Sequence, residues 1–213
     1  MKKIGQIVKQ QEENNRSSNL PEKQEWLDNK KQEIIAAHGN IKEFGIRFNP
    51  DIQIAAASNL ERSFFGEAPT LRQLEYAYGI KGVRAWFSIQ LENLNKFTGV
   101  SNKMTFEQMQ MLTDVIVTKA PYLKASEILV FFHKFKSGDL GEFYGNVDPL
   151  KLTGAFGQFL AWRSTEIDKI KTRRDAERRD RGREESFKNA ITREEYERMK
   201  DENKADKQET SEG

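Results

Sequence analysis

Apolar residues recur three and four positions apart through the middle of the chain, the spacing that places side chains on one face of an α-helix. One such helix is predicted for residues 124–135, and its apolar side chains are Ala125, Ile128, Leu129, Phe131, Phe132 and Phe135. A second is predicted to start at Pro149, with apolar positions at Leu152, Ala155, Phe156, Phe159, Leu160, Ile167 and Ile170. We expect these two helices to face each other across the aromatic, glycine-bearing corner between them and to hold a core together.

The ends of the predicted helices carry their own signals. Gly138 is expected to end the first helix in a left-handed conformation, because a residue without Cβ adopts that conformation at little cost. Asp148 is predicted as the N-cap of the next helix and Pro149 as its first residue, since a carboxylate accepts free backbone N–H groups and proline has none to leave unpaired. Thr105 and Gln108 have the capping-box pattern, in which each side chain accepts from the other residue's backbone N–H.

The remaining segments are also predicted to be mainly helical. Helices are expected over residues 21–37, 51–65, 71–78, 82–97 and 105–119, ended in turn by His38-Gly39, Gly66, Gly79, Gly99 and Ala120-Pro121. Residues 44–48 alternate weakly between apolar and other positions, which favours an extended piece before the turn at Asn49-Pro50. The short turns imply contacts mostly between sequence neighbours, as in an all-α fold.

Composition divides the chain into four segments. Residues 1–19 are dominated by Lys, Gln, Glu, Asn and Ser and are predicted to be a flexible N-terminus. A helical globular domain is expected over residues 20–162, a charged helical extension over 163–200, and a disordered tail over 201–213. The expected fold is therefore a compact bundle of short helices with a long charged C-terminal helical extension.

The near-neutral net charge of +2 conceals two oppositely charged segments. Residues 163–183 hold nine basic and five acidic residues, whereas residues 184–213 hold six basic and ten acidic ones. Six arginines in the first segment are candidates for contact with a nucleic-acid backbone: Arg173, Arg174, Arg178, Arg179, Arg181 and Arg183. The alternative is a solvated helix stabilised by its own ion pairs, for example those of Asp175 with Arg178 and Arg179.

The corner supplies candidate partner-binding residues. Phe143, Tyr144 and Trp162 could grip a protein partner or stack on bases, or they could close the core over the corner. His133 lies close in sequence to Asp139, Glu142 and Asp148, but a single histidine without a ligand-spacing motif does not predict a metal site.

Several function classes are not indicated. The chain has no cysteine, which removes disulfides, thiolate zinc sites and cysteine nucleophiles. No Gly-rich phosphate loop, Gly-x-Ser-x-Gly elbow or His-Glu-x-x-His motif occurs, so neither enzymatic activity nor a cofactor is expected. No apolar run approaches the roughly 18 to 20 residues that cross a bilayer, and the basic start leads into no apolar segment. We therefore expect a cytoplasmic protein of a bacterial host cell, with a place in a virion as the alternative.

Three stretches carry a resemblance to a known family. The run from Met104 to Met109, residues 124–138, and the phrase Phe-Tyr-Gly-Asn-Val-Asp-Pro at 143–149 resemble a family of small uncharacterised helical proteins from Bacteroidota genomes, their phages and mobile elements. The likeness covers residues 71–163, and the phrase at 143–149 is its most particular part. It implies a helical protein from a phage or mobile element and transfers no catalytic residue.

Two functional hypotheses follow. In the first, the protein is a non-enzymatic accessory protein whose helical body binds a protein partner and whose basic segment binds phosphates weakly and without sequence preference. A replication-accessory role, similar to that of helicase loaders or replisome organisers, is suggested by analogy alone. In the second, it is a protein-interaction or structural component, such as a virion or host-takeover protein, without nucleic-acid contact.

Overall fold

The computed structural model describes residues 21–99, 103–141, 148–188, 190, 192–198 and 200, with the side chains of residues 21–24 left out. Over these residues the chain forms no strand, and as far as Lys188 it forms eight α-helices: α1 Pro21–His38, α2 Ile41–Arg47, α3 Gln53–Ser58, α4 Leu60–Phe65, α5 Leu71–Thr98, α6 Phe106–Lys119, α7 Ala125–Lys136 and α8 Pro149–Lys188. The predicted all-α class is confirmed. The chain divides into two compact units, Met1–Ser164 and Thr165–Gly213, which are described separately below.

The prediction of an extended piece over residues 44–48 is wrong, because these residues lie in and directly after α2. Asn40 and Glu43 form a capping box that starts the helix: the Asn40 side chain accepts from the Glu43 amide, and the Glu43 carboxylate accepts from the Asn40 amide. Phe44 and Phe48, one helical turn apart, then stack with their ring centroids 4.6 Å apart. Their side chains are buried, whereas Ile46 between them is 72% exposed.

The single helix predicted for residues 51–65 is also wrong, because Asn59 divides it into α3 and α4. Asn59 leaves the helical conformation with φ −129° and ψ 78°, and its side chain accepts a hydrogen bond from the Arg62 amide at 2.9 Å. An asparagine that caps the next helix in this way competes with continuation of the previous one. The Ser63 hydroxyl, which donates to the Ala56 carbonyl at 2.8 Å, connects the two short helices.

Helix α5 is broken at Gly79, where φ is 68° and ψ is 167°. The predicted stop at Gly79 is therefore confirmed for the backbone, and the chain resumes helical geometry at once. The second part of α5 carries Trp86 and Phe87, both almost fully buried. The indole of Trp86 donates to the carbonyl of Phe48 at 2.8 Å, so α5 holds the end of α2 in place.

Helix α7 and the first turns of α8 pack face to face, as predicted. Phe131 lies with its ring centroid 5.3 Å from that of Phe156 and 5.5 Å from that of Phe159, and all three side chains are fully buried. The predicted ends are confirmed: Gly138 has φ 83°, and the Asp148 side chain accepts from the Leu150 amide at 2.8 Å. This aromatic contact places the start of α8 against the core.

Candidate nucleic-acid interface

The charged part of α8, from Thr165 to Lys188, is a helix without a continuous apolar stripe. Ion pairs between residues three and four positions apart run along it: Lys169 with Glu166 at 2.7 Å, Arg173 with Glu177 at 3.8 Å, and Arg178 with Asp175. Such pairs each stabilise an exposed helix by about 0.2–0.5 kcal/mol. Local charge pairing is therefore part of why this sequence is helical, as the alternative of a solvated helix anticipates.

The six arginines predicted to bind nucleic acid are all exposed, but they do not share one face: Arg173, Arg174, Arg178, Arg179, Arg181 and Arg183. Arg174, Arg178 and Arg181 are four and three positions apart, so they lie on one side of the helix. Lys171, also exposed and three residues before Arg174, extends the same row. We call these four residues the basic stripe. The structure thus brings three of the predicted arginines together and adds Lys171.

The other three predicted arginines point elsewhere around the helix. Arg179 and Arg183 are four residues apart and lie beside each other on a side away from the basic stripe. Arg173 shares its side of the helix with Glu177, to which it is ion-paired. The helical spacing of these residues in the sequence could have distinguished the three arginines from those of the basic stripe, and it could have identified Lys171 as part of the stripe.

The basic stripe runs over the eleven residues from Lys171 to Arg181, or about 15 Å of helix axis, with a cation at about every 5 Å. Acidic residues are concentrated on an adjacent side, where Glu177, Asp180 and Glu184 follow one another at spacings of three and four. Within the stripe, Arg178 is ion-paired with Asp175. Chemically, the stripe is a row of basic side chains suited to a linear polyanion.

Beyond α8, residues 193–198 are again helical. Thr192 caps them: its amide donates to the Glu195 carboxylate at 2.8 Å, and its hydroxyl oxygen accepts from the Glu195 amide at 3.2 Å. Hydrogen bonds from the backbone and hydroxyl of Thr192 hold the pKa of Glu195 below its usual value. Arg193 pairs with Glu197 at 3.1 Å, so the charges described here are largely matched locally.

Trp162, predicted as a partner-binding residue, is half-buried at the edge of the core. Its ring meets Phe64 edge-on at 6.1 Å and lies 5.7 Å from Phe159, while the Lys134 ammonium sits 4.2 Å from its centroid. These contacts support the core-closing alternative for Trp162, and partner binding stays a prediction. Phe143 and Tyr144, the other two predicted partner-binding residues, lie outside the described residues.

The structure offers no assembled metal site in the part of the chain that it describes. Asp139, one of the acids near His133 in sequence, is bound by the Lys134 ammonium at 2.6 Å, and this hydrogen bond lowers the pKa of the Asp139 carboxyl. Likewise, across the described residues no helix combines the length and apolarity required to span a bilayer.

Comparison with known proteins gives one match. No curated protein and no solved structure is similar to the chain. A family model described as "Family of unknown function (DUF6633)" matches residues 103–208, just under half of the chain. The match takes in α6, α7 and α8, and therefore the whole basic stripe. Over this stretch the chain is similar to a family of unknown function, which agrees with the resemblance to uncharacterised proteins.

Proposed function

We propose that this protein is a non-enzymatic accessory protein that binds the phosphate backbone of nucleic acid through the basic stripe of α8. The observation that carries the proposal is the alignment of Lys171, Arg174, Arg178 and Arg181 on one side of an exposed helix. Arginine is suited to this task because its guanidinium stays charged and presents a planar fork of donors to phosphate oxygens.

The stripe supports weak binding without sequence preference. Each phosphate that a cation neutralises releases condensed counterions, so the binding constant depends on salt. On duplex DNA, each phosphate contact lowers the logarithm of the binding constant by about 0.9 for every tenfold rise in salt concentration. Four cations in a single row allow at most four such contacts. Sequence would be read by side chains that reach base edges in a groove, and charged contacts to phosphates alone carry no such information.

The wider role that we propose is that of a replication-accessory protein of a phage or mobile element, acting in the bacterial cytoplasm together with a protein partner. The resemblance to uncharacterised proteins of such elements supports the origin, and the analogy with helicase loaders and replisome organisers supports the role. The helical body, Met1–Ser164, would bind the partner, with Phe143, Tyr144 and Trp162 as candidate contacts.

The test compares two triple variants that remove the same charge. R174A/R178A/R181A removes the arginines of the basic stripe, and R173A/R179A/R183A removes three arginines from other sides of the same helix. Each set also includes an arginine with an assigned ion pair, Arg178 with Asp175 in the first and Arg173 with Glu177 in the second. Alanine is the strongest helix former, so both variants keep the helix, which circular dichroism verifies.

Binding to short labelled single-stranded and duplex DNA is measured by fluorescence anisotropy between about 50 and 200 mM salt. We expect the stripe variant to bind at least tenfold more weakly, with a salt slope reduced by about 2.7 on duplex and about 2.1 on single strands. The matched variant should keep most of the affinity and slope. Equal losses in both variants would show that only net charge matters, and no binding by the wild type would refute the function.

A second candidate function is a protein-interaction or structural role, in which the charged helix pairs with another chain. Two exposed aromatic residues in this segment favour it, Phe187 at 76% and Tyr196 at 57% exposure. Light scattering of the wild type and F187S tests this role. An assembly larger than a monomer that F187S dissociates would support it, and monomeric behaviour of both proteins would count against it.

A further inference from the structure

A cleft of about 650 Å³ opens in the unit Met1–Ser164, where the ends of α1 and α2 meet α3, α4 and the first turns of α7. Its volume lies within the range of about 300–1,000 Å³ that is usual for small-molecule sites. No residue of the basic stripe lines it. Whatever the cleft binds is therefore a question separate from nucleic-acid binding.

The floor of the cleft is apolar. Phe48 and Leu129 are buried side chains that contribute to it, and Ala55 and Ala56 of α3 add small side chains that leave the space open. The neighbouring hydroxyls are already engaged, since Ser63 donates to the Ala56 carbonyl and Ser126 donates to the Ser63 carbonyl at 2.7 Å. The floor is therefore a surface with few unpaired polar groups, suited to contact with the apolar part of a ligand.

Two guanidinium groups from different helices line the same cleft, those of Arg47 and Arg62. Arg47 donates through Nη1 to the Ala37 carbonyl at 2.7 Å, which fixes its position while using one of its five N–H donors. Neither arginine is ion-paired with a described carboxylate, and Glu67, the one acidic residue in the lining, is not ion-paired with any described residue. The two positive charges are therefore available to a ligand.

His38 completes the polar side of the cleft. Its Nδ1 lies 3.4 Å from Nη1 of Arg47, and burial together with the Arg47 charge lowers the pKa of the His38 imidazole. Because a nitrogen that faces a guanidinium acts as the acceptor, the proton of the neutral ring is placed on Nε2, which makes it a third donor.

We propose that this cleft binds a small organic carboxylic acid with an aliphatic or aromatic body, which packs on Phe48 and Leu129 while its carboxylate is held by Arg47 and Arg62. A cationic ligand would face two like charges, and a neutral apolar one would leave both guanidiniums unmatched. An inorganic anion would gain nothing from the apolar floor. The combination of size, floor and charge thus selects an amphipathic anion.

The test uses the full chain and two dyes that differ by one charged group, 8-anilinonaphthalene-1-sulfonate and its uncharged parent N-phenyl-1-naphthylamine. R62Q and R47Q should each weaken binding of the sulfonate dye at least about tenfold, the equivalent of one hydrogen bond to a charged group, and change binding of the uncharged dye less than twofold. R72Q removes a matched exposed arginine outside the cleft and should leave both affinities unchanged. R62Q carries the conclusion if R47Q, which loses a contact with α1, proves unstable in a thermal melt.

Two further measurements locate the site and identify the head group. A55L, which fills the cleft, should weaken both dyes, whereas A85L, at an exposed position of α5 outside the lining, should weaken neither. Decanoate should displace the sulfonate dye at concentrations at which decanol does not. Insensitivity to A55L, equal effects of R62Q and R72Q, or equal displacement by decanol would each overturn the proposal.

Discussion

The carboxylate of Glu127, at the start of α7, is fully buried and receives the guanidinium of Arg163 from α8 at 2.5 Å. Its second oxygen accepts from the Lys124 amide at 2.7 Å, so both oxygens are satisfied. Burial raises the pKa of Glu127, while the hydrogen bonds from Arg163 and Lys124 oppose that rise. A buried charge of this kind is tolerated because its partner is held in the same place, and it joins two helices of the core.

Replacing Arg163 by methionine should destabilise the protein by about 3 kcal/mol, because the charge of Glu127 is then left buried without its partner. Urea denaturation followed by circular dichroism measures the change. The exposed pair of Lys30 and Glu33 provides the control, since K30M should cost less than about 1 kcal/mol. Adding E127Q to R163M should restore part of the lost stability. If the double variant is no more stable than R163M, the loss comes from packing of the Arg163 side chain against Phe64 and Tyr122.

The same pair predicts how stability depends on pH. The pKa of Glu127 in the folded protein lies above its ordinary value of 4.5, so between these two values the folded state binds more protons than the unfolded state. The contribution of this group to stability therefore declines as pH rises from 4.5 through the folded pKa and is constant above it. In R163M a hydrogen bond that lowers the pKa is lost, which extends the decline to higher pH.

Urea denaturation of the wild type and R163M across this pH range tests the direction in which the Glu127 contribution to stability changes with pH. The stability deficit of R163M should be smaller near the ordinary pKa of the carboxyl than at neutral pH, because protonation relieves the unpaired charge. The deficit of E127Q/R163M should instead become smaller as the pH rises, because only the wild type then loses the contribution of the Glu127 carboxyl. A deficit of R163M that grows as the pH falls would contradict the assignment.

A second buried polar connection lies between α3 and α5. Gln53 donates to Gln90 at 2.7 Å, and Gln90 in turn donates to the Phe48 carbonyl at 2.9 Å. Q90L should cost about 2 kcal/mol, because it leaves the buried amide of Gln53 without its acceptor. S88A on the same helix removes a hydroxyl that only bonds back to the Arg84 carbonyl and should change stability by less than about 0.5 kcal/mol. Equal effects of the two substitutions in urea denaturation would argue against the connection.

Several features whose donors and acceptors lie within four residues were predicted from the sequence, although the caps at Asn40 and Asn59, which are equally local, were not. The capping box of Thr105 with Gln108, the N-cap at Asp148 and the left-handed Gly138 all belong to this kind. The error at residues 44–48 has a physical cause, because Phe44 and Phe48 fit both an alternating strand and one turn of a helix. Whether these residues form a helix or a strand depends on which side chains the tertiary structure buries, and local spacing does not determine that.

The two candidate sites also differ in whether local spacing or tertiary packing forms them. The basic stripe depends only on the spacing of four residues along one helix, so it can be predicted from the sequence. A count of charges is not enough, because it does not separate the arginines of the stripe from the other arginines of the helix. The cleft depends on Arg47 and Arg62, which belong to different helices and meet only after α2, α4 and α7 have packed. No local pattern of either arginine indicates a shared site.

The break in α5 yields a prediction about backbone strain. Gly79 adopts φ 68° and ψ 167°, a combination that is essentially restricted to glycine, and an added Cβ would meet no atom within 4 Å. G79A should therefore destabilise the protein by about 1–3 kcal/mol through the backbone alone. Gly154 supplies the opposite case, since it lies inside α8 with equally open space, and G154A should stabilise by about 0.5–1 kcal/mol. Urea denaturation of the two alanine variants separates these effects, because the added methyl group is the same in both and only the backbone conformation differs. A neutral or stabilising G79A would mean that α5 continues through residue 79 without the left-handed break.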